Sequence, residues 1–285
     1  MPAAAWSAAC TRQPTEDPVH HTREESIMLL KRLAVGLAAM LAMILPAKAE
    51  STLDAIVQRG TINVGVGLGT PPYGLMDSSM QPAGYDVSVA KAIARDLGVK
   101  VNIVDTTAAN RIPNLTSGKL DIVIYSFSIT AERAKAIAFT NTYYVDQQVY
   151  VGPADQPITK IEDLAGRKIG VTRASTNDIV MTKKAVEGAQ IQRYDDDAST
   201  SQALFAGQVE GIVTSGALAR AVEEHDPNLK KQFVVAQAPM GIGLRRNDPD
   251  FLHWLNTELF MLQSTGELQA LQKKWMGVEV DLPRF

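Results

Sequence analysis

Apolar and polar positions along this chain alternate between two periods. Short β-branched runs with period near 2 predict strands, and apolar residues spaced by three and four predict helices. Residues 61–66 read as a strand. Asp86 is placed to N-cap a helix whose Val89, Ala90, Ile93, Ala94 and Leu97 share one face, with Gly98 as its terminator. A strand at 99–104, a short helix at 110–117 with Pro113 in its first turns, and a buried strand at 120–125 follow. The second half repeats the pattern: strands at 168–172, 191–194 and 209–214, and helices at 176–187, 199–206 and 216–224. Two short strands at 233–236 and 241–244 precede two closing helices, about 249–264 and 266–275, whose Leu255, Leu259, Phe260, Leu262, Leu268, Leu271 and Trp275 read as packing positions. Residues 143–151 are extended in character, and 239–243 make a second crossing between the halves. Such alternation predicts an α/β chain of mostly parallel sheet with helices on both faces, and its two near-copies predict two lobes.

The first 49 residues follow a different logic. Lys31 and Arg32 precede an apolar run at 33–45, and Ala47 and Ala49 stand at −3 and −1 of a cut after Ala49. That order is a secretory signal peptide, and the run is too short to span a bilayer. Met28 reads as the start, so 28–49 is the signal and 1–27 a start-site artefact or leader. The exported chain from Glu50 has 236 residues, 23 basic and 27 acidic, hence a net charge of −4. No basic excess points to nucleic acid or an anionic membrane. The single cysteine, Cys10, precedes the cut, so disulfide, thiol and lipid-anchor chemistry are excluded from the exported chain. A soluble periplasmic protein is expected.

Candidate chemistry concentrates just past the strand at 120–125. Ser126, Ser128 and Arg133 cluster there, where open α/β sheets bind ligands. A guanidinium offers a planar fork that matches a carboxylate. The plainer alternative is a capped helix start, with Thr130 as N-cap and Arg133 on a solvated face. The exported chain has only His225 and His253, both on predicted helices, no nucleophile setting and no metal-ligand spacing.

Several passages, in order, carry a resemblance: Arg59-Gly60-Thr61-Ile62-Asn63-Val64-Gly65, Pro71-Pro72-Tyr73-Gly74 and Gly84-Tyr85-Asp86-Val87-Ser88-Val89-Ala90. They continue with Asn110-Arg111-Ile112-Pro113, Ser128-Ile129-Thr130-Ala131-Glu132-Arg133 and Asp163-Leu164-Ala165-Gly166-Arg167-Lys168. The chain resembles the periplasmic solute-binding proteins of polar amino-acid ABC importers, which have the type II periplasmic binding fold. The resemblance implies a discontinuous lobe 1 (50–145 and 240–285), a lobe 2 (146–239) and two crossover strands as the hinge. A small carboxylate-bearing solute, a polar or acidic L-amino acid, is clamped between the lobes, and the closed monomer is read by the ABC permease subunits. Closure is driven by contacts made only in the closed state. No cofactor and no metal are implied, and micromolar or tighter affinity is expected, about −8 kcal/mol or better.

The same resemblance assigns roles. Arg133 matches the grip on the ligand α-carboxylate, and Ser126 and Ser128 match positions that hydrogen-bond the ligand. Ala174-Ser175-Thr176 matches a second-lobe turn whose free N–H groups favour the same carboxylate; read alone, Ser175 and Thr176 are plain N-caps. Tyr73 matches an aromatic wall beside the ligand. Arg111 matches an arginine near the distal carboxylate in relatives that take acidic amino acids, or else is a solvated first-turn arginine.

One position departs from the family pattern. Where an aspartate usually pairs with the ligand α-ammonium, this chain has Ser215. Losing such a charge-assisted contact costs about 1.5–3 kcal/mol. Three readings stay open: another acid, from Asp195-Asp196-Asp197 or Glu210, enters the cleft; the amine binds without a counter-charge; or the ligand is a dicarboxylate or oxo acid with no α-amine. Ala174 in place of glycine bears on the turn geometry. A cyclohexadienyl-dehydratase-like enzyme and a sensory role are the alternatives from other classes.

Overall fold

The computed structural model describes residues 31–32, 51–184, 187–280 and 282. The leader and signal assignments, 1–27 and 28–49, lie outside the described residues apart from Lys31 and Arg32. Residues Glu50–Phe285 form one compact unit. Among the described residues no helix is long and apolar enough to cross a membrane.

The unit opens with helix α1 (Thr52–Arg59), which Gly60 terminates at φ 67°, and strand β1 (Thr61–Val66). A small hairpin, β2 (Leu75–Met76) and β3 (Pro82–Ala83), precedes α2 (Tyr85–Asp96) and β4 (Lys100–Asp105). Next come α3 (Arg111–Thr116), β5 (Ile122–Val123), the single turn α4 (Ala131–Ala134) and β6 (Ile137–Pro153). The second half holds β7 (Lys168–Thr172), α5 (Thr176–Lys184), β8 (Gln190–Tyr194), α6 (Asp197–Phe205), β9 (Gly211–Ser215) and α7 (Gly216–His225). Strand β10 (Leu229–Arg245) returns to the first half, and α8 (Pro249–Ser264) and α9 (Glu267–Met276) close the chain.

The large strands form one eight-stranded sheet in the order β4-β1-β5-β10-β6-β9-β7-β8. It has two parallel wings: β1 runs parallel to β4 and β5, and β7 parallel to β8 and β9. Parallel neighbours need crossover helices, which is what the alternating pattern supplied. The wings meet through β6 and β10, antiparallel to each other along 17-residue strands. The sequence pattern led to a shorter extended segment at 143–151 and to two separate short strands at 233–236 and 241–244. The apolar signal breaks because Lys230, Lys231, Gln232, Gln237 and Pro239 lie within β10, whose ladder is kept in step by four register shifts.

Each wing has its own core. Val64, Ile93, Phe251 and Leu255 join β1, α2 and α8 in the first; Val149, Ile212 and Val222 join β6, β9 and α7 in the second. Leu259, Leu262 and Leu268 pack as expected, whereas Phe260 stands exposed.

Asp86 is not the N-cap of α2. The helix starts two residues earlier than such a cap would set, at Tyr85, behind Gly84 (φ 120°). A Cβ on Gly84 would stand 2.3 Å from the Tyr73 carbonyl oxygen, so glycine permits the close approach. Asp86 is fully buried and its carboxylate is used at long range.

Candidate functional site

The cleft lies at the seam between the wings, beside the carboxyl ends of β1, β5, β7 and β9. The first wing contributes the segment from Tyr125 to Arg133. Ser126 adopts φ 36°, in the left-handed region that serine seldom occupies. Its N–H donates to Asp86 Oδ2 at 2.7 Å, and Tyr143 Oη of strand β6 donates to Asp86 Oδ1 at 2.8 Å. Desolvation pushes the Asp86 carboxyl up to about 7, opposed by these two hydrogen bonds. One buried acid therefore fixes both the strained serine and a strand shared by the two wings.

Thr130 caps α4 as expected, accepting from the Arg133 N–H at 3.2 Å. The guanidinium is not on a solvated face, because Arg133 is only 6% exposed. Its Nη1 donates to Ser128 O (2.9 Å) and Thr176 Oγ1 (3.0 Å), and its Nη2 to Ala174 O (3.1 Å). Arg111 is likewise buried, donating from Nε to Ala108 O (3.0 Å), from Nη1 to Tyr125 O (3.3 Å) and from Nη2 to the same Ala174 O (3.3 Å). The two guanidiniums share the Phe127 ring at 4.3 and 4.9 Å from its centroid. Two cations of one wing thus converge on a single carbonyl of the other. Burial, reinforced by the Arg111 charge, pushes the Arg133 guanidinium down to about 8; burial also lowers Arg111. Both shifts express a cationic site short of anions.

The second wing presents a turn and three helix starts. Ala174 takes the glycine-like φ of 56°, and its N–H donates to Asp178 Oδ2 at 3.0 Å. Ser175 Oγ accepts from the Asp178 N–H at 3.2 Å, and Thr176 opens α5. Ser215 caps α7, accepting from the Leu218 N–H at 3.2 Å. For Ser175 and Ser215, capping and a place in the cleft lining coincide.

The structure brings Arg111, Ser126, Ser128, Ser175, Thr176 and Ser215 together in the cleft, with Arg133 behind Ser128 and Thr176. Tyr73 is the exception. It is fully buried, sits edge-on to Tyr144 at 6.1 Å and donates from Oη to Asp146 Oδ2 at 2.5 Å. It forms part of the hydrophobic core and does not line the cleft, because its phenol is drawn to an acid in the middle of β6. Tyr125 supplies the aromatic surface there instead.

Among the acids, Glu210 pairs with Arg167 at 3.3 Å and the exposed Asp195 with Arg173 at 3.4 Å, both away from the lining. Asp196 caps α6, accepting from the Ser199 N–H at 2.7 Å. Asp197 alone of the four lines the cleft. It accepts from Thr70 Oγ1 (2.8 Å) and Thr172 Oγ1 (2.5 Å). Desolvation raises its carboxyl above the usual range, opposed by Thr172, Thr70 and Arg111. Sequence reasoning missed Thr70, Gln148, Asn177 and Met240, which also line the cleft. Thr70 and Met240 could have been flagged by adjacency, one before the double proline and one in the second crossing. His225 lies against Phe205 and His253 on α8; neither lines the cleft.

Comparisons with known proteins bear on the fold and the family. The L-cystine-binding protein TcyJ of Escherichia coli (strain K12) is 28% identical over 235 residues, covering 81% of this chain and 88% of its own. A mutant of ArgBP from T. maritima superposes with a TM-score of 0.75 at 34% identity, covering 79% of this chain and 99% of that one. The ancestral amino-acid-binding protein AncCDT-1, described as a precursor of cyclohexadienyl dehydratase, gives a TM-score of 0.73 at 32% identity, covering 79% of this chain and all of its own. A family profile matches residues 62–278, most of the folded unit, and by that match the chain belongs to the bacterial extracellular solute-binding proteins, family 3.

Proposed function

We propose that this protein is the periplasmic receptor of an amino-acid ABC importer, exported with its leader cut after Ala49. It binds a polar or acidic L-amino acid in the cleft and presents it to the permease. Lobe 1 is taken as 50–145 with 240–285 and lobe 2 as 146–239, with β6 and β10 as the hinge. The observation that carries this reading is the convergence of the Arg111 and Arg133 guanidiniums on Ala174 O. Such a site favours an anion that offers more than one oxygen. Arg133 takes the α-carboxylate together with Ser128, Ser175 and Thr176, and Arg111 takes a second acidic or polar group. The site holds bound solute by charge and hydrogen bonds, and no bond-making step is assigned to it.

Calorimetric titration of the protein, stripped of bound solute, with L-glutamate, 2-oxoglutarate and a panel of neutral and basic L-amino acids tests the reading. Binding of at least one amino acid at micromolar strength is expected, and Arg133→Ala should abolish it while the circular dichroism stays that of the parent. An Arg133→Ala variant that binds as well as the parent would overturn the site assignment.

A further inference from the structure

Ser215 leaves the second wing without the acid that would meet an ammonium group, yet the cleft still holds a carboxylate. We infer that Asp197, with Asn177 in the same lining, accepts an ammonium group of the bound solute at the Arg111 end of the cleft; this rests on the amino-acid reading above. Three observations carry it.

The Asp197 carboxylate is held in place and remains unneutralised. Thr70 and Thr172 each donate one hydroxyl to it, one on each oxygen. A carboxylate has about four acceptor sites, so capacity remains. The neighbouring acids Asp86 and Asp146 do not line the cleft. Asp86 takes the Ser126 N–H and the Tyr143 hydroxyl. Asp146 takes the Tyr73 hydroxyl and the N–H groups of Gln147 and Ala217.

Arg111, the cation whose field reaches Asp197, makes its hydrogen bonds to three backbone carbonyls and none to Asp197. A positive and a negative side chain thus line one end of the cleft unpaired. That is the arrangement that suits a solute carrying both signs.

Asn177 supplies the third observation. It lines the cleft at 5% exposure, and its Oδ1 is buried with no hydrogen-bond partner among the described residues. A buried acceptor left unpaired is costly, and a donor brought by the solute removes that cost. An ammonium has three N–H donors, enough for Asp197 and Asn177 with one to spare.

The ammonium could be the α-ammonium or one at the far end of the solute, and the test separates them. Parent, Asp197→Asn and Thr70→Val proteins are titrated with L-glutamate, L-lysine, L-cystine and glutarate, which carries two carboxylates and no ammonium. For the amino acid that the parent binds tightest, Asp197→Asn should weaken binding by about ten- to a hundredfold. Glutarate should change by less than about threefold, or fail to bind the parent at all. A loss seen on L-glutamate identifies the α-ammonium; a loss confined to L-lysine or L-cystine identifies a distal one. Thr70→Val cuts the link to the first wing and keeps the carboxylate, so it should lose less than about fivefold. Equal losses on all four probes, no loss on any, or a Thr70→Val protein as weak as Asp197→Asn would overturn the inference and make Asp197 a strut between the wings. A parent that binds none of the four, nor any of the neutral and basic L-amino acids of the panel above, overturns the amino-acid reading, and this inference with it. Binding abolished by Arg133→Ala but spared by Asp197→Asn overturns this inference alone.

Discussion

The two walls of the cleft are built differently. The first-wing wall is held from far along the chain: Asp86 reaches 40 residues to Ser126 and 57 to Tyr143, and both guanidiniums stack on one buried ring. The second-wing wall is held by its own neighbours. Ala174 and Ser175 are tied to Asp178 four and three residues on, and Ser215 to Leu218 three residues on. A wall made of long-range contacts exists only once the domain is folded, and arrives rigid. A wall made of caps forms with its helices and can vary residue by residue at modest cost. The charged grip lies on the first wall, and the departures from the family pattern, Ala174 and Ser215, lie on the second.

The largest expected effect breaks the first wall at its charge. Removing one partner of a buried, hydrogen-bonded charge pair costs about 3–5 kcal/mol, so Arg133→Ala should lower affinity on the order of a hundredfold or more, read by calorimetry. Next is Asp86→Ala, which strands the Ser126 N–H and the Tyr143 hydroxyl. At about 1–3 kcal/mol for each unpaired group it should lower stability in denaturant titration and weaken binding as well, although Asp86 does not line the cleft. Equal affinity in that variant would show that Ser126 keeps its φ without help.

Asp86 also predicts a pH dependence. Its folded value, about 7, lies above the ordinary 3.8. The folded protein therefore binds the extra proton between those values, and this contribution to stability, full below about 4, is lost as pH rises towards 7. Asp86→Asn has no such titration, so its stability should fall less than the parent's over that window in denaturant melts at each pH.

The second wall should respond more weakly. Ser215→Ala removes a cap worth about 1 kcal/mol and should leave solute affinity within about threefold. Smallest is Ala174→Gly. It relieves a left-handed alanine but loosens the unfolded chain, for a net gain of up to about 1 kcal/mol in thermal melts. A large affinity loss from either change would erase the distinction between the walls.

The same distinction explains what the sequence revealed. Caps and turns are local, so Thr130 and Ser175 were legible from a few letters. The helical faces were legible because Val89, Ile93 and Leu97 repeat at a fixed spacing. Arg133 was legible from its place just past the strand at 120–125 and Arg111 through the resemblance, although their shared acceptor, Ala174 O, was not. Asp86 looked like a cap because its true partners lie 40 and 57 residues away. Tyr73 looked like a cleft aromatic because nothing near it in sequence announces Asp146, 73 residues on. Strands β6 and β10 were underestimated because lysines, glutamines and a proline interrupt their apolar pattern where the ladder itself provides the cohesion.

That ladder has a mechanical consequence. Since a single sheet runs through both wings, a rotation of one against the other is a change of twist along β6 and β10, and it also parts the hydrogen bonds that cross the cleft, from Arg111 and Arg133 to Ala174 O and from Thr70 to Asp197. The four register shifts between residues 231 and 243 are where ladder bonds are already out of step. Two of them fall at Met240/Gly241 and Gly241/Gly243, beside the cleft lining. On the receptor reading proposed above, opening and closing of the cleft would be borne by this disrupted stretch of ladder, where bulges already bend and twist the strands.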